Sequence, residues 1–194
     1  MKKIFIINGH QYYDYSKGKA NETFVNLAKA HFADKGYEVQ YTASQETYHT
    51  AAEVEKHIWA DIVFLQTPIN WMRVTWSFKK YMDDVYTFGM RGKMCNGDGR
   101  TTEAPKKNYG MGGVLTGRKY MLSTTSNAPK EAFNDPDEPF FQGMSVDDLL
   151  KPMHLNFKFM GMEPLPTFSA HDLMKNPEMA LDMERFKAHL ATHF

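Results

Sequence analysis

The sequence contains a single cysteine, Cys95, so no disulfide can form within the chain. Cysteine usage of this kind is typical of proteins kept in a reducing compartment. No apolar stretch is long enough to cross a bilayer, and the apolar run within Met1–Ile7 is too short for a signal peptide. We therefore expect a cytoplasmic protein with no membrane span.

The chain also lacks net charge, because its 23 Lys and Arg residues balance its 23 Asp and Glu residues. A protein that holds nucleic-acid phosphates needs a basic surface. The balance therefore predicts that the partner is not a nucleic acid. A length of 194 residues suits one domain with a substantial core, so we expect residues 1–194 to form a single domain.

Several motifs of catalytic and binding sites are missing as well. Neither G-x-G-x-x-G nor G-x-x-x-x-G-K-[ST] occurs, which excludes the usual dinucleotide fingerprint and the P-loop. Cys95 has no adjacent histidine and no C-x-x-C partner, so no catalysis is assigned to it. His189 and His193 have the spacing of metal ligands on a helix, but no further ligand pattern lies nearby. The sequence predicts no metal site.

What the sequence does have is an anion-binding pattern near its start. Ile4–Ile7 predicts a strand buried on both faces, a polar loop follows, and Asn21 stands where a helix N-cap is expected. Free N–H groups and the helix dipole favour a phosphate at such a junction. An ordinary connection with solvated lysines fits this stretch equally well. The loop offers hydroxyls, an amide, ammonium groups and a glycine at Ser16, Lys17, Gly18, Lys19, Asn21 and Thr23.

Strand and helix patterns alternate along the rest of the chain. This order predicts an α/β fold with a five-stranded parallel sheet, helices on both faces and the flavodoxin-like order 2-1-3-4-5. Residues 88–117 form a long polar segment typical of a lid, a binding loop or a partner surface. The further predicted strands are Glu38–Thr42, Asp61–Gln66, Lys119–Thr125 and Met162–Phe168, and the further helices are Ala51–Ala60, Ser77–Tyr86, Val146–Phe159 with a break near Pro152, and Pro177–His193.

Ligands of such sheets bind beyond the carboxyl ends of the strands. Three loops therefore belong together: Gly9–Thr23, Thr67–Trp76 and Thr125–Pro129. A phosphate cradle beside two loops with aromatic and amide groups fits a flavin, and the high content of Trp, Tyr and Phe fits a flat ligand or an apolar interface.

Long runs of the chain resemble the modulator-of-drug-activity-B (MdaB) group of NAD(P)H:quinone oxidoreductases, which are relatives of DT-diaphorase. The resemblance covers nearly the whole sequence. The matching runs are SKGKANET (16–23), WADIVFLQTPINWMRVTWSFKKYMDDV (59–85), DGRT (98–101), KKNYGMGG (106–113), KYMLSTTSNAPKEAF (119–133) and GMEPLPTF (161–168).

The resemblance implies that FAD is bound non-covalently in a homodimer whose active site lies at the subunit interface. One departure concerns Asn70, because family members often carry an aromatic residue there, so ring packing or substrate preference is expected to differ. The implied cofactor contacts are Ser16, Gly18, Lys19, Ala20, Asn21, Glu22, Thr23, Pro68, Ile69, Asn70, Trp71, Met72, Tyr109, Thr125, Ser126, Asn127 and Ala128.

The implied reaction is a two-electron reduction of a quinone or a related aromatic molecule. NADPH or NADH reduces the flavin and leaves before the quinone binds, which predicts ping-pong kinetics. No side chain is expected to act as a covalent or acid–base catalyst. Two alternatives remain, an FMN-dependent azo- or nitroreductase of the same fold and a non-enzymatic flavodoxin-like electron carrier.

Overall fold

The computed structural model describes residues 1–194 and contains one parallel β-sheet. Its order is β2-β1-β3-β4-β5, and β6 also pairs with β4, so the predicted order and fold class are confirmed. The strands are β1 (Lys3–Asn8), β2 (Glu38–Ala43), β3 (Ile62–Pro68), β4 (Lys119–Thr125), β5 (Glu163–Pro164) and β6 (Phe168–Ala170).

The sheet is covered on both faces by helices. On one face α1 and α6 pack through Phe24, Phe32 and Phe186, and on the other α2, α3 and α5 pack around Tyr81 and Phe157. None of the helices combines the length and hydropathy that a bilayer crossing requires. The helices are α1 (Lys19–Asp34), α2 (Thr50–Trp59), α3 (Trp76–Gly89), α4 (Val146–Leu149), α5 (Lys151–Phe159) and α6 (Met179–His193), with a short 3-10 helix at Lys130–Ala132.

The first strand shows why the sequence forms this sandwich. Ile4, Phe5, Ile6 and Ile7 are all fully buried. Because side chains alternate along a strand, Ile4 and Ile6 enter the α1/α6 core while Phe5 and Ile7 enter the other. An apolar run without polar interruption is the pattern of such a central parallel strand.

Two predicted element boundaries are wrong. The helix α1 begins at Lys19 after Gly18, so Asn21 lies in the first turn and is not the N-cap. The predicted strand Met162–Phe168 is two short strands, because proline cannot donate to a sheet ladder and the chain turns away after Pro164. The break predicted near Pro152 is confirmed between α4 and α5.

The long segment after α3 contains no helix or strand but is tightly packed. A Cβ on Gly113 would lie 2.2 Å from the carbonyl carbon of Met160, and a Cβ on Gly99 would lie 2.4 Å from the carbonyl oxygen of Asn108. The N–H of Leu115 donates to the carbonyl of Met160 at 2.9 Å. The segment is thereby fixed beside the end of α5, at the edge of the sheet where β4 begins.

Candidate active site at the carboxyl edge of the sheet

The loops that follow β1, β3 and β4 surround a cleft of about 360 Å³ at the carboxyl edge of the sheet, here called the rim cleft. It brings seven of the predicted contact residues together in one place. The rim cleft is lined by His10, Asp14, Tyr15, Ser16, Lys17, Gly18, Lys19, Ala20, Asn21, Pro68, Thr125, Leu173 and Met174.

His10 and Gly18 lie against each other in the lining of the rim cleft. Gly18 has φ +78°, and a Cβ placed on it would lie 2.4 Å from the His10 ring, so the approach requires glycine. Burial lowers the pKa of His10, which is therefore neutral at pH 7. Its Nε2 is buried without a hydrogen-bond partner within the chain. A buried unpaired nitrogen facing a cleft is a group that a ligand can satisfy.

Below the rim cleft a chain of buried amides links three strands to α1. Ser123 Oγ donates to Gln66 Oε1 at 2.6 Å, and Gln66 Nε2 donates to Asn21 Oδ1 at 3.1 Å. Asn21 Nδ2 in turn donates to Asn8 Oδ1 at 2.6 Å, and the same oxygen accepts the N–H of His10 at 3.0 Å. This amide chain fixes the start of α1 relative to the ends of β1, β3 and β4.

Thr75 makes a second connection under the same loop. Its hydroxyl donates to the carbonyl of Gly9 at 2.6 Å and accepts the N–H of Phe78 at 3.2 Å, which caps α3. A Cβ on Gly9 would lie 2.9 Å from Thr67 Oγ1. The loop after β1 and the beginning of α3 are therefore held at a fixed separation.

The loop after β3 carries Trp71 at the tip of a tight turn. The backbone groups of Asn70 and Arg73 exchange hydrogen bonds of 2.7 and 2.9 Å. Trp71 and Met72 between them both have positive φ, at 47° and 60°. Such values are unfavourable for residues with a Cβ. The turn leaves the indole 91% exposed, so Trp71 contributes almost nothing to the core.

The loop after β4 closes the third side. The N–H of Ile69 donates to the carbonyl of Thr125 at 2.8 Å, which joins the loops after β3 and β4. Ser126 is buried and its hydroxyl donates to the carbonyl of Ala128 at 3.1 Å, whereas Asn127 is exposed. The predicted residues of this loop thus lie beside those of the β3 loop.

A smaller cleft of about 200 Å³ adjoins the rim cleft on the other side of His10 and Gly18. It lies between α1 and β2 and is lined by Glu22, Lys29 and Tyr41, among others. The ammonium of Lys29 sits 3.3 Å from the centroid of the Tyr41 ring. We call this space the α1–β2 cleft.

Thr23 and Tyr109, two of the predicted cofactor contacts, do not line the rim cleft. Thr23 directs its hydroxyl to the carbonyl of Lys19 at 2.9 Å, so that oxygen supports the helix. The ring of Tyr109 packs 6.0 Å from that of Phe159, the last residue of α5. This position is near the beginning of β4, at the opposite end of the strands from the rim cleft. Within one chain, Tyr109 does not meet the other predicted residues.

The residues of the rim cleft fit the phosphate end of a flavin nucleotide. The first N–H groups of α1 have no partners within the helix and, with the helix dipole, favour an anion. Lys17 and Lys19 add positive charge beside the hydroxyl of Ser16. The orphaned Nε2 of His10 completes a cradle for a ligand.

The sequence patterns did not single out His10 or Gln66. A detectable signal existed for both, because each is a polar residue within or just after an otherwise apolar strand. Buried polar groups in a core must be paired, so such positions frequently support a site.

Comparison with known proteins agrees with this architecture. The sequence matches the family described as having the flavodoxin-like fold over residues 2–194. NADPH:quinone oxidoreductase MdaB of Haemophilus influenzae is 39% identical over 191 residues, covering 98% of this chain and 98% of that protein.

Two solved structures share the fold. A Klebsiella pneumoniae protein described as a candidate quinone reductase has a TM-score of 0.77 and 22% identity, covering 99% of this chain and 83% of that one. General stress protein 14 of Treponema denticola, in complex with FMN, has a TM-score of 0.66 and 20% identity, covering 99% of both chains. The chain therefore belongs to the family of the flavodoxin-like fold and, within it, to the group that contains MdaB.

Proposed function

We propose that this protein is an FAD-dependent NAD(P)H:quinone oxidoreductase that works as a homodimer. The observation that carries the proposal is the rim cleft, which offers a phosphate cradle and two adjoining loops in a chain related over its whole length to a named NADPH:quinone oxidoreductase. A bound flavin would supply the redox chemistry, accepting a hydride from the nicotinamide and passing two electrons to the quinone.

The protein's own residues bind and orient the reactants. The start of α1, with Ser16, Lys17 and Lys19, holds the phosphates, and the loops at Pro68–Met72 and Thr125–Ala128 hold the ring. The exposed indole of Trp71 offers a flat apolar surface on which an aromatic substrate can stack. No side chain in this arrangement is required to form a covalent bond with substrate.

The α1–β2 cleft favours FAD over FMN. A mononucleotide is accommodated by the rim cleft alone, whereas the adenosine half of a dinucleotide needs a second space next to the phosphates. The α1–β2 cleft adjoins the phosphate cradle at Lys17 and Gly18. The alternative, an FMN-dependent azo- or nitroreductase, is supported by the FMN complex of the structurally similar Treponema protein.

A homodimer with the site at its interface is supported by the apolar surface around the rim. Large side chains are exposed in the segments that follow the strand ends, and exposed apolar surface of this kind marks an interface. Tyr109, at the opposite edge of its own sheet, would reach such a site only from the second subunit. The exposed side chains are Tyr15 (77%), Trp71 (91%), Trp76 (60%), Phe140 (67%) and Met174 (69%).

The test begins with the purified protein. We expect a yellow dimer in analytical ultracentrifugation whose released flavin co-migrates with FAD on thin-layer chromatography. Anaerobic NADPH or NADH should bleach the flavin, and a quinone such as menadione should restore its colour. Initial rates at several quinone concentrations should give parallel double-reciprocal plots, the pattern of ping-pong kinetics.

Each outcome separates one alternative. Released FMN together with fast azo-dye reduction supports the alternative, an FMN-dependent azo- or nitroreductase. Bound flavin that neither nicotinamide reduces indicates an electron carrier. A colourless protein that binds no added flavin contradicts the whole proposal, and intersecting kinetic plots contradict the ping-pong order alone.

A further inference from the structure

A cavity of about 700 Å³ lies at the open edge of the sheet, between α5 and β5, and we call it the edge cleft. None of its lining residues lines the rim cleft. Because β5 pairs with the beginning of β4, the edge cleft lies near the start of that strand, away from the carboxyl edge. Its volume is within the range of pockets that enclose small organic ligands.

The break between β5 and β6 opens this cavity. Pro164 ends β5, the N–H of Leu165 donates to the carbonyl of Tyr120 at 2.7 Å, and the ladder resumes only at Phe168. Pro166 within the break has no N–H to offer. The edge of the sheet is thereby interrupted where a longer fifth strand would otherwise lie against α5.

Side chains of β4, α4 and α5 make a fixed floor. Tyr120, which is 2% exposed, has its hydroxyl 2.7 Å from His154 Nδ1, and His154 Nε2 lies 3.2 Å from Asp147 Oδ1. Burial raises the pKa of Tyr120 to about 12, so it is a phenol, and the bond from His154 lowers the pKa of Asp147. Since an ionised carboxylate only accepts, Nε2 of His154 carries a hydrogen, and the Tyr120 hydroxyl pairs with Nδ1 on the other side of the ring. The polar atoms of the floor are thus satisfied by one another.

The walls combine apolar surface with two unpaired cations. Lys151, His154, Leu155 and Lys158 occur at helical spacing on one face of α5, and all four line the cleft. Leu155 is 53% exposed. Lys151 and Lys158 belong to no ion pair, because no carboxylate lies within 4.0 Å of either ammonium group.

Three carboxylates also line the edge cleft, and two of them accept hydrogen bonds from neighbouring residues. Asp147 bonds His154, and Asp148 accepts the N–H and hydroxyl of Ser145 at 3.1 and 2.5 Å. Those bonds lower the pKa of Asp148, and the nearby charge of Lys151 lowers it further. Glu163 is exposed, and only its backbone is paired in the ladder with Lys119. Neither Lys151 nor Lys158 forms an ion pair with any of these three carboxylates, so both ammonium groups can meet an incoming anion.

We propose that the edge cleft binds an amphipathic organic anion, an aromatic carboxylate or sulfonate of small size. Its apolar body packs on Leu155, Leu165 and Met162, and its anionic group lies between Lys151 and Lys158. Apolar contact supplies most of the affinity, while the two ammonium groups select the charge. The site is independent of the flavin and of the redox reaction.

The experiment is isothermal titration calorimetry of the flavin-loaded protein with 2-naphthoate and with its neutral isostere 2-naphthamide. We expect 2-naphthoate to bind one site per chain and the double variant Lys151→Gln/Lys158→Gln to weaken it by roughly tenfold. 2-Naphthamide should bind more weakly and respond little to that variant. The matched control is Lys106→Gln/Lys107→Gln, which removes two exposed lysines outside the cleft and should change nothing.

A second variant tests the apolar wall. Leu155→Asp introduces a negative charge at an exposed position and should abolish 2-naphthoate binding without unfolding the protein. Equal affinities for 2-naphthoate and 2-naphthamide, an unaltered affinity in the lysine double variant, or no binding at about 1 mM would overturn the proposal. A change in flavin absorbance on titration, retained in Leu155→Asp, would place the ligand in the rim cleft and also overturn it.

Discussion

The side-chain amide nitrogen of Gln66 in β3 donates to Oδ1 of Asn21 in α1 at 3.1 Å, deep beneath the rim cleft. Asn21 is 2% exposed and Gln66 is fully buried. One amide pair therefore joins the strand that ends at the proposed ring loop to the helix that begins at the proposed phosphate loop.

Removing this connection should weaken both the fold and cofactor binding. Asn21→Ala leaves Gln66 Nε2 without its partner and removes one of the two hydrogen bonds that Asn8 Oδ1 accepts. An unsatisfied buried group costs about 1–3 kcal/mol. We expect a clear fall in the free energy of unfolding in urea and a higher Kd for flavin. Asp34→Ala is the control, since Asp34 is exposed on the same helix and lines neither the rim cleft nor the α1–β2 cleft. Equal effects of the two variants would contradict the role given to the amide chain.

Trp71 should matter for substrate and hardly for stability. Because its side chain is 91% exposed, Trp71→Ala should change the free energy of unfolding by no more than about 0.5 kcal/mol. We expect a several-fold loss in kcat/KM for menadione, through loss of the stacking surface. Trp76→Ala, which removes an exposed tryptophan at the start of α3, is the comparison. An unchanged kcat/KM in Trp71→Ala would remove this residue from the site.

Alanine substitutions at Gly113 and Gly117 distinguish the cost of a steric clash from the cost of backbone strain. A Cβ on Gly113 would meet the backbone of Met160 at 2.2 Å, whereas a Cβ on Gly117 meets nothing within 4 Å and only its φ of +77° is unfavourable. Gly117→Ala should therefore cost about 1 kcal/mol, and Gly113→Ala considerably more. Urea denaturation of both variants decides the order. The reverse order would mean that the segment after α3 moves freely from α5.

Stability should fall on acidification, in part through His57. Burial lowers the pKa of His57 to about 4, from 6.5 in the unfolded chain. The unfolded state therefore binds more protons between those values. The contribution of neutral His57 to the free energy of unfolding is fully present above pH 6.5 and is lost as the pH falls toward 4. The shift corresponds to about 3 kcal/mol.

The check is urea denaturation of the wild type and of His57→Phe between pH 7 and about 4.5. Phenylalanine keeps a ring against Phe5, which lies edge to face with His57 at 5.1 Å. The variant should lose less stability than the wild type over this range. Parallel pH profiles for the two proteins would show that His57 is not the group responsible.

The order and type of most elements could be predicted from the sequence because apolar runs such as Ile4–Ile7 have only one stable place in a sandwich of helices and sheet. The start of α1 could not. Asparagine is favoured at N-caps, but here the amide of Asn21 is required inside the core, and Gly18 makes the entry into the helix instead. Local preference and tertiary demand disagreed at this position, and the tertiary demand prevailed.

The candidate site shows the same division. The residues that follow β1, β3 and β4 could be assembled from topology alone, because parallel strands end at one edge. The role of His10 and the distance of Tyr109 from the rim cleft could not, since both depend on how irregular segments pack. The contacts of Gly99 and Gly113 that hold Tyr109 beside α5 leave no periodic trace in the sequence.

The two prolines at the broken edge have a consequence for how these molecules behave when crowded. An exposed sheet edge ordinarily invites a strand from another molecule, the first step toward amyloid-like stacking. Pro164 and Pro166 leave that edge short of donors and too interrupted for an intruding strand to register upon. The same interruption that opens a cavity thus disfavours aggregation through the sheet edge formed by β5 and β6.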